Sequence, residues 1–225
     1  MKEHFHGHRK RLRERYLKNG IESLRDYEIL ELLLGFSIPV KDTKEQAKKL
    51  LKKFGNIKEL FLNLDKEKFS EVNGVGEKSF ILFKLVNDIN KMIALEKFFR
   101  KRVVSSIFDV VELSKTIMWN LHKEEFRVIF LNSKNEVLSF EKLSEGIINE
   151  TYVYIRKIFE RAFACNATAL ILIHNHPSGK SCPSEDDIEI TKKIVKLSHE
   201  LGITVHDHVI VARDEFYSFK ENKLL

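Results

Sequence analysis

The sequence predicts an α/β (α+β) protein in two parts: an all-helical domain over residues 1–100 and a mixed sheet with flanking helices over residues 103–225. Three observations lead there. Up to about Phe99 the apolar residues recur at helical spacing, interrupted at Gly35, Gly55 and Gly74-Val75-Gly76. Beyond Lys101-Arg102 short runs of β formers appear, FRVIFL at 126–131 and ALILI at 169–173. Those runs alternate with amphipathic segments, the pattern of a sheet covered by helices.

Taken in order, residues 26–34 are Leu-rich and read as a helix ending at Gly35. Thr43 is placed to cap a helix through Ala47, Leu50 and Leu51 to Gly55, and a short apolar segment follows at 60–64. After Gly74-Val75-Gly76, Phe80, Phe83, Leu85, Val86 and Ile89 give another helix a broad apolar face. The basic cluster at 97–102 is the best boundary, although one continuous helix can run across it. Residues 126–131 and 137–143 flank the turn Asn132-Ser133-Lys134-Asn135 and read as a hairpin. Residues 151–165 form an amphipathic helix with Ile155, Ile158, Phe159, Ala162 and Phe163 on one face. A buried strand at 169–173, a helix from Ser184 to Gly202 and a last strand at 203–211 complete the chain.

Composition narrows the function. The chain has 225 residues, 43% hydrophobic and 32% charged, enough for a core and a charged surface. No apolar run approaches the roughly 20 residues that span a bilayer, so the expectation is a cytoplasmic protein without membrane contact. Two cysteines, Cys165 and Cys182, make no disulfide framework. The net charge of +6 is uneven: residues 1–102 carry 24 Lys and Arg against 15 Asp and Glu, and the remainder 15 against 18. A basic half suits a polyanionic partner such as DNA, or simply a solvated surface.

The chemistry concentrates in His174-Asn175-His176-Pro177-Ser178-Gly179 and Ser184-Glu185-Asp186-Asp187. Strand side chains alternate with period two, so His174 and His176 share one face. Two such imidazoles suit a zinc ion, and Asp187 in the first turn of the next helix can supply a third ligand. Three protein ligands leave the fourth position for water, the layout of a catalytic site. Ser184-x-x-Asp187 is also a helix start, with Ser184 accepting the third amide and Asp187 favouring the helix N-terminus.

His174-x-His176-Pro177, six residues, Ser184, two residues, Asp187 resembles the JAMM motif of JAB/MPN metalloproteases without gap or substitution. The longer string HNHPSG…PSEDDIEIT is similar to the RadC family, as are His8-Arg9-x-Arg11-Leu12, Glu28 with Leu33-Leu34, Gly74-Val75-Gly76 and Ser144-Glu145-Gly146. The resemblance implies a JAB/MPN (cytidine-deaminase-like) fold for the second part. It implies His174, His176 and Asp187 as Zn2+ ligands, Ser184 at the oxyanion or bound water, and an upstream glutamate as general base. Glu124 and Glu125 both precede the FRVIFL strand and alternation does not choose between them; RadC-like spacing favours Glu124.

Val72-Asn73-Gly74-Val75-Gly76 between helical stretches resembles a helix-hairpin-helix. Gly74, Gly76 and Lys78 are then the candidate DNA contacts, with the run from Arg9 to Arg15 adding sequence-independent attraction. The bland reading is a glycine turn within a helical bundle. His206 and His208 fall on one strand face, more plausibly in a structural role than as a second metal site, and His208 can line the site or brace a ligand. His4, His6 and His8 sit in a terminus expected to be mobile. Cys182 reads as a loop residue and Cys165 as core. The expected function is zinc-dependent hydrolysis of peptide or isopeptide bonds, with an extended substrate beside the hairpin. The rivals are a DNA-binding or repair accessory protein with an idle MPN domain, and a metal-dependent phosphodiesterase.

Overall fold

A computed structural model describes the chain except residues 1–2, 102, 119–120, 147–150 and 214, and except the side chains of 3–6 and 151–154. The side chains of His4 and His6 therefore lie outside the described residues. The chain divides into two compact units, residues 1–90 and 91–225. Among the described residues no helix is long and apolar enough to cross a membrane.

The first unit is helical: α1 (Glu3–Asn19), α2 (Asp26–Ser37), α3 (Lys44–Phe54), α4 (Ile57–Leu62), α5 (Lys66–Ser70) and the first half of α6 (Glu77–Lys101). Its core joins Leu30 and Leu34 of α2, Ala47 and Leu50 of α3, Leu60, Phe69 and Phe83, all fully buried. Each such Leu or Phe contributes about 1.5–3 kcal/mol relative to exposure. The unit boundary falls inside α6, which continues through the basic cluster to Lys101.

Several local expectations are corrected here. Gly35 does not end α2, which runs two residues further to Ser37. Thr43 stands at the N-cap of α3 but makes no side-chain cap; its hydroxyl donates to the Glu31 carbonyl at 3.0 Å. The N-terminal stretch is helical, and His8 lies beside the Glu31 carboxylate. Leu85 and Ile89 are exposed, so the buried stripe of α6 is narrower than periodicity suggested.

The second unit holds α7 (Ile107–Met118), β1 (Glu125–Leu131), β2 (Val137–Glu145), α8 (Thr151–Ala164), β3 (Ala169–Asn175), α9 (Glu185–Glu200), β4 (Thr204–Ala212) and β5 (Glu215–Ser218). The strands form one mixed sheet in the order β2-β1-β3-β4-β5. Only β3 and β4 run parallel, and α9 makes the crossover between them. One sheet face packs Phe126, Val128, Phe130, Leu170 and Leu172 against α8 and α9. The other packs Ile129, Leu131, Ile171, Ile173, Val209 and Val211 against α7 and Phe98. The mixed sheet with helices on both faces is the predicted fold class. Phe163, expected on the buried face of α8, is exposed.

The crossover places the site. A parallel β3-α9-β4 unit returns the N-terminus of α9 beside the C-terminal end of β3, where α/β folds gather ligands. The antiparallel register sets Phe126 opposite His174, which brings the start of β1 to the same end.

Candidate metal centre

Strand β3 carries His174 to the sheet's end. His176 lies just past it, held by its N–H to the Val211 carbonyl at 3.0 Å. Pro177 then stops the strand, and Gly179 closes the turn with its N–H on the His176 carbonyl at 3.0 Å. Gly179 has φ +84, and a Cβ there would meet Arg213 Nε at 2.9 Å, so both conformation and space call for glycine. The turn also delivers the Lys180 carbonyl to His176 Nδ1 at 2.8 Å.

Ser184 caps α9. Its Oγ accepts from the Asp187 N–H at 3.1 Å, and its own N–H donates to Asp187 Oδ2 at 2.8 Å. This reciprocal capping box is the structural role expected for the pair, and it fixes the Asp187 carboxylate on the first turn. Asp187 Oδ1 lies 3.2 Å from His174 Nε2, and Oδ2 lies 3.3 Å from His176 Nε2. The two Nε2 atoms are 2.9 Å apart. Tetrahedral bonds of 2.0–2.1 Å put neighbouring ligand atoms about 3.3 Å apart, so the three groups already stand near the corners of such a site.

Hydrogen bonding sets which nitrogen of each ring carries its proton. A carbonyl only accepts, so His176 Nδ1 donates to Lys180 and Nε2 is left with a lone pair. The Thr191 hydroxyl donates to the Asp187 carbonyl at 2.5 Å and so accepts from His208 Nδ1 at 2.6 Å. His208 Nε2 must then accept from His174 Nδ1 at 2.8 Å, which leaves His174 Nε2 as a lone pair too. In the neutral state two lone pairs and a carboxylate face one point. That donor set fits a cation.

The electrostatics agree. Burial alone would raise Asp187, but hydrogen bonds from Ser184 and from the His174 and His176 rings in their protonated form hold it well below the usual carboxylate range. Its hydrogen bond to His176 raises that imidazole against the opposing effect of burial, and the Lys180 carbonyl and the charge of Glu124 add to the rise. Complete burial pushes His208 well below its ordinary value, so it stays neutral and able to accept. Phe219 stacks on it at 4.6 Å between ring centres.

Glu124 and Glu125 have opposite surroundings. Phe126 stacks on His174 at 6.1 Å, and the charge of Glu124, two residues before it, reaches His176. Glu125 is buried, paired with Arg127 at 2.7 Å and Lys142 at 3.3 Å. Glu124 is exposed just before β1 and has no such pairing among the described contacts.

His206 and His208 do not share a face. Leu170 pairs with Val205 and Ile171 with Asp207, so His206 is the extra residue of a bulge. It turns to Asn135 Oδ1 at 2.8 Å while His208 meets His174. Cys182 is exposed in the loop and Cys165 half-buried against the sheet core; neither joins the cluster. Sequence reasoning passed over Thr191, whose signal was a polar residue one turn after Asp187 on the buried face of α9.

The DNA-contact candidates lie in the first unit. Gly74 has φ +87, and a Cβ there would meet Gln46 Nε2 at 2.9 Å; Val72 and Val75 on either side are buried. Gly76 precedes α6, and nothing lies within 4 Å of a Cβ built on it. Lys78 is exposed in the first turn. Two members of the basic run are committed within the chain: Arg9 donates to the carbonyls of Ile38, Pro39 and Lys41, and Arg15 pairs with Glu28.

Comparison with known proteins matches residues 104–224 to the RadC-like JAB domain and residues 6–81 to the UPF0758 N-terminal family. A UPF0758 protein of Ruegeria pomeroyi is 38% identical over 220 residues, covering 98% of each chain. A UPF0758 protein of Fusobacterium nucleatum subsp. nucleatum is 36% identical over 226 residues, covering 97% of each. A mixed sheet ending in this histidine–aspartate cluster, matched along nearly its whole length, belongs to the RadC-like family of JAB-domain proteins.

Proposed function

We propose that the chain is a zinc-dependent hydrolase of the JAMM type that cleaves peptide or isopeptide bonds. The observation that carries this is the pair of Nε2 lone pairs turned toward the Asp187 carboxylate, with the charge of Glu124 felt at His176. His174, His176 and Asp187 would hold the ion. Bound there, zinc supplies Lewis acidity, acidifying water and polarising a carbonyl. Glu124 takes one water proton as the C–O bond forms and passes it to the nitrogen as the C–N bond breaks. The products are a carboxylic acid and an amine. Ser184 orients Asp187 through its 2.6 Å hydrogen bond to Oδ2, and its hydroxyl can turn toward the developing oxyanion. The substrate fits as an extended strand beside β2, the sheet's edge.

The test is incubation of the zinc-loaded full chain with peptide, ε-lysyl isopeptide and DNA probes. Amide cleavage should occur, and Glu124→Gln should lower it by about 10²–10⁴-fold with zinc retained, the range for a lost general base. No amide cleavage by the zinc-loaded wild type, or an unchanged rate in Glu124→Gln, removes the reading. Cleavage confined to DNA would instead favour a phosphodiesterase.

A second reading belongs to the first unit. Among the described residues nothing lies within 4 Å of a Cβ at position 76, so the bare backbone at the start of α6 suits close approach by a phosphate, with Lys78 beside it. Duplex binding should be indifferent to sequence and weaken with salt. Absence of any binding at low salt would dispose of it.

A further inference from the structure

Asn175 stands between the two histidines, and alternation sends its side chain to the opposite face of β3. It is only 3% exposed. Its amide makes two hydrogen bonds, both to the backbone that leads into β1. Oδ1 accepts from the Glu125 N–H at 2.8 Å, and Nδ2 donates to the Lys123 carbonyl at 3.1 Å. Those two groups flank Glu124. From the other side, the Gly146 N–H donates to the Glu124 carbonyl at 2.8 Å.

The backbone pairing of β1 with β3 ends at Phe126 and His174. Beyond it, one side chain takes over the work of the ladder and fastens the residues on both sides of Glu124. The donor and acceptor must sit on one short planar group to reach both. Aspartate lacks the donor, and threonine is too short to span them. The carboxylate so held has its charge within reach of His176.

We propose that Asn175 is a positioning residue, which holds Glu124 at the metal face by clamping its two flanking peptides. This rests on the zinc-hydrolase reading of the site. A merely stabilising asparagine would satisfy the same strand-end groups without coupling to Glu124, and that difference is measurable.

The probe is acetohydroxamic acid, titrated calorimetrically into the zinc-loaded full chain. A hydroxamate on zinc shares its acidic proton with a neighbouring carboxylate, so its affinity reports where Glu124 lies. Glu124→Gln should weaken binding about tenfold, as for one lost charge-assisted hydrogen bond. Asn175→Ala should weaken it by a similar factor with zinc stoichiometry unchanged. The double variant should bind no more weakly than Glu124→Gln alone, because neighbours acting as one unit are not additive. Asn175→Thr, a good strand former, stands in if the alanine variant does not fold.

Wild-type affinity in Asn175→Ala and Asn175→Thr, losses that multiply in the double variant, or no effect of Glu124→Gln would each overturn the inference. The cycle needs zinc and a probe but no turnover. Lack of amide cleavage by the wild type would thus remove the hydrolase and leave the clamp standing, whereas a chain that takes no zinc loses both.

Discussion

The end of β3 and the turn at residues 72–76 each attracted attention as a motif, and their side chains are committed differently. At the turn, Val72 and Val75 go into the core and Gly74 is demanded by its own φ. Packing therefore explains most of that motif, and only Gly76 and Lys78 are left over. At β3 the reverse holds. Outer hydrogen bonds consume Nδ1 of both histidines, while the inner nitrogens face each other and Asp187. A motif points to function to the extent that folding leaves its chemistry unsatisfied.

The largest effect is expected from His174→Ala. If the inner nitrogens wait for a cation, zinc should raise the Tm of the wild type and leave that of the variant unmoved. At a free zinc concentration of 100 Kd the wild type gains about 2.7 kcal/mol by mass action. Equal zinc shifts in both proteins, read by scanning calorimetry, would erase the distinction between the two regions.

Next come the residues behind His174. His208→Ala and Thr191→Val break the hydrogen-bond chain that fixes the proton of His174 on Nδ1. Each should weaken zinc about 10–100-fold, the usual cost of a missing outer partner. Competition against a chromophoric chelator measures this directly. Unchanged affinity would mean that the tautomer is set without them.

Acidity sharpens the comparison in a direction that can be worked out. His176 is raised in the folded protein, so its ion pair with Asp187 stabilises the metal-free chain below the ordinary histidine range and is lost as pH climbs through the raised value. Asp187 is lowered, so its contribution is present above the ordinary carboxylate range and is lost as pH falls below it. The metal-free second unit should therefore be most stable in mildly acidic solution. Zinc must displace the His176 proton, so its affinity should fall by up to about tenfold per pH unit below the raised value. Zinc stabilisation that grows toward acid would contradict this site.

How much of this the sequence discloses follows from distance along the chain. His174 and His176 share a face by strand alternation, and Ser184 and Asp187 cap a helix by their spacing; both are local and were readable. The general-base choice was not, because it depends on β1 meeting β3 with Phe126 opposite His174, a register between residues 48 apart that alternation alone leaves open. Family resemblance supplied that preference; Glu125 itself is buried against Arg127 and Lys142. The His206 placement failed because one bulge residue reverses every later side chain of β4. α2 outran Gly35 because a glycine costs a helix only about 1 kcal/mol, which buried Leu30 and Leu34 outweigh. α7 does carry a start signal, Ser106-x-x-Asp109, that the periodicity reading passed over, and β5, four residues long, is shorter than a periodicity can register.

The smallest effects belong to the glycine turn, and they separate its two glycines. Gly74→Ala places a Cβ at positive φ and against Gln46, so it should cost about 1–2 kcal/mol of stability. Gly76→Ala meets open space but puts alanine at the N-cap of α6, where glycine is preferred, so it should cost about 0.5–1 kcal/mol. If a phosphate approaches the bare backbone there, the same Gly76→Ala should nonetheless weaken duplex binding, and Lys78→Ala should reduce the salt slope by about one. Denaturant melts and fluorescence titrations at two salt concentrations read all of these. A Gly76→Ala variant that keeps both its stability and its DNA affinity would show that nothing at this turn depends on glycine 76. The N-terminal motif would then be accounted for by packing alone, and of the two motifs the end of β3 would be the one that keeps unsatisfied chemistry.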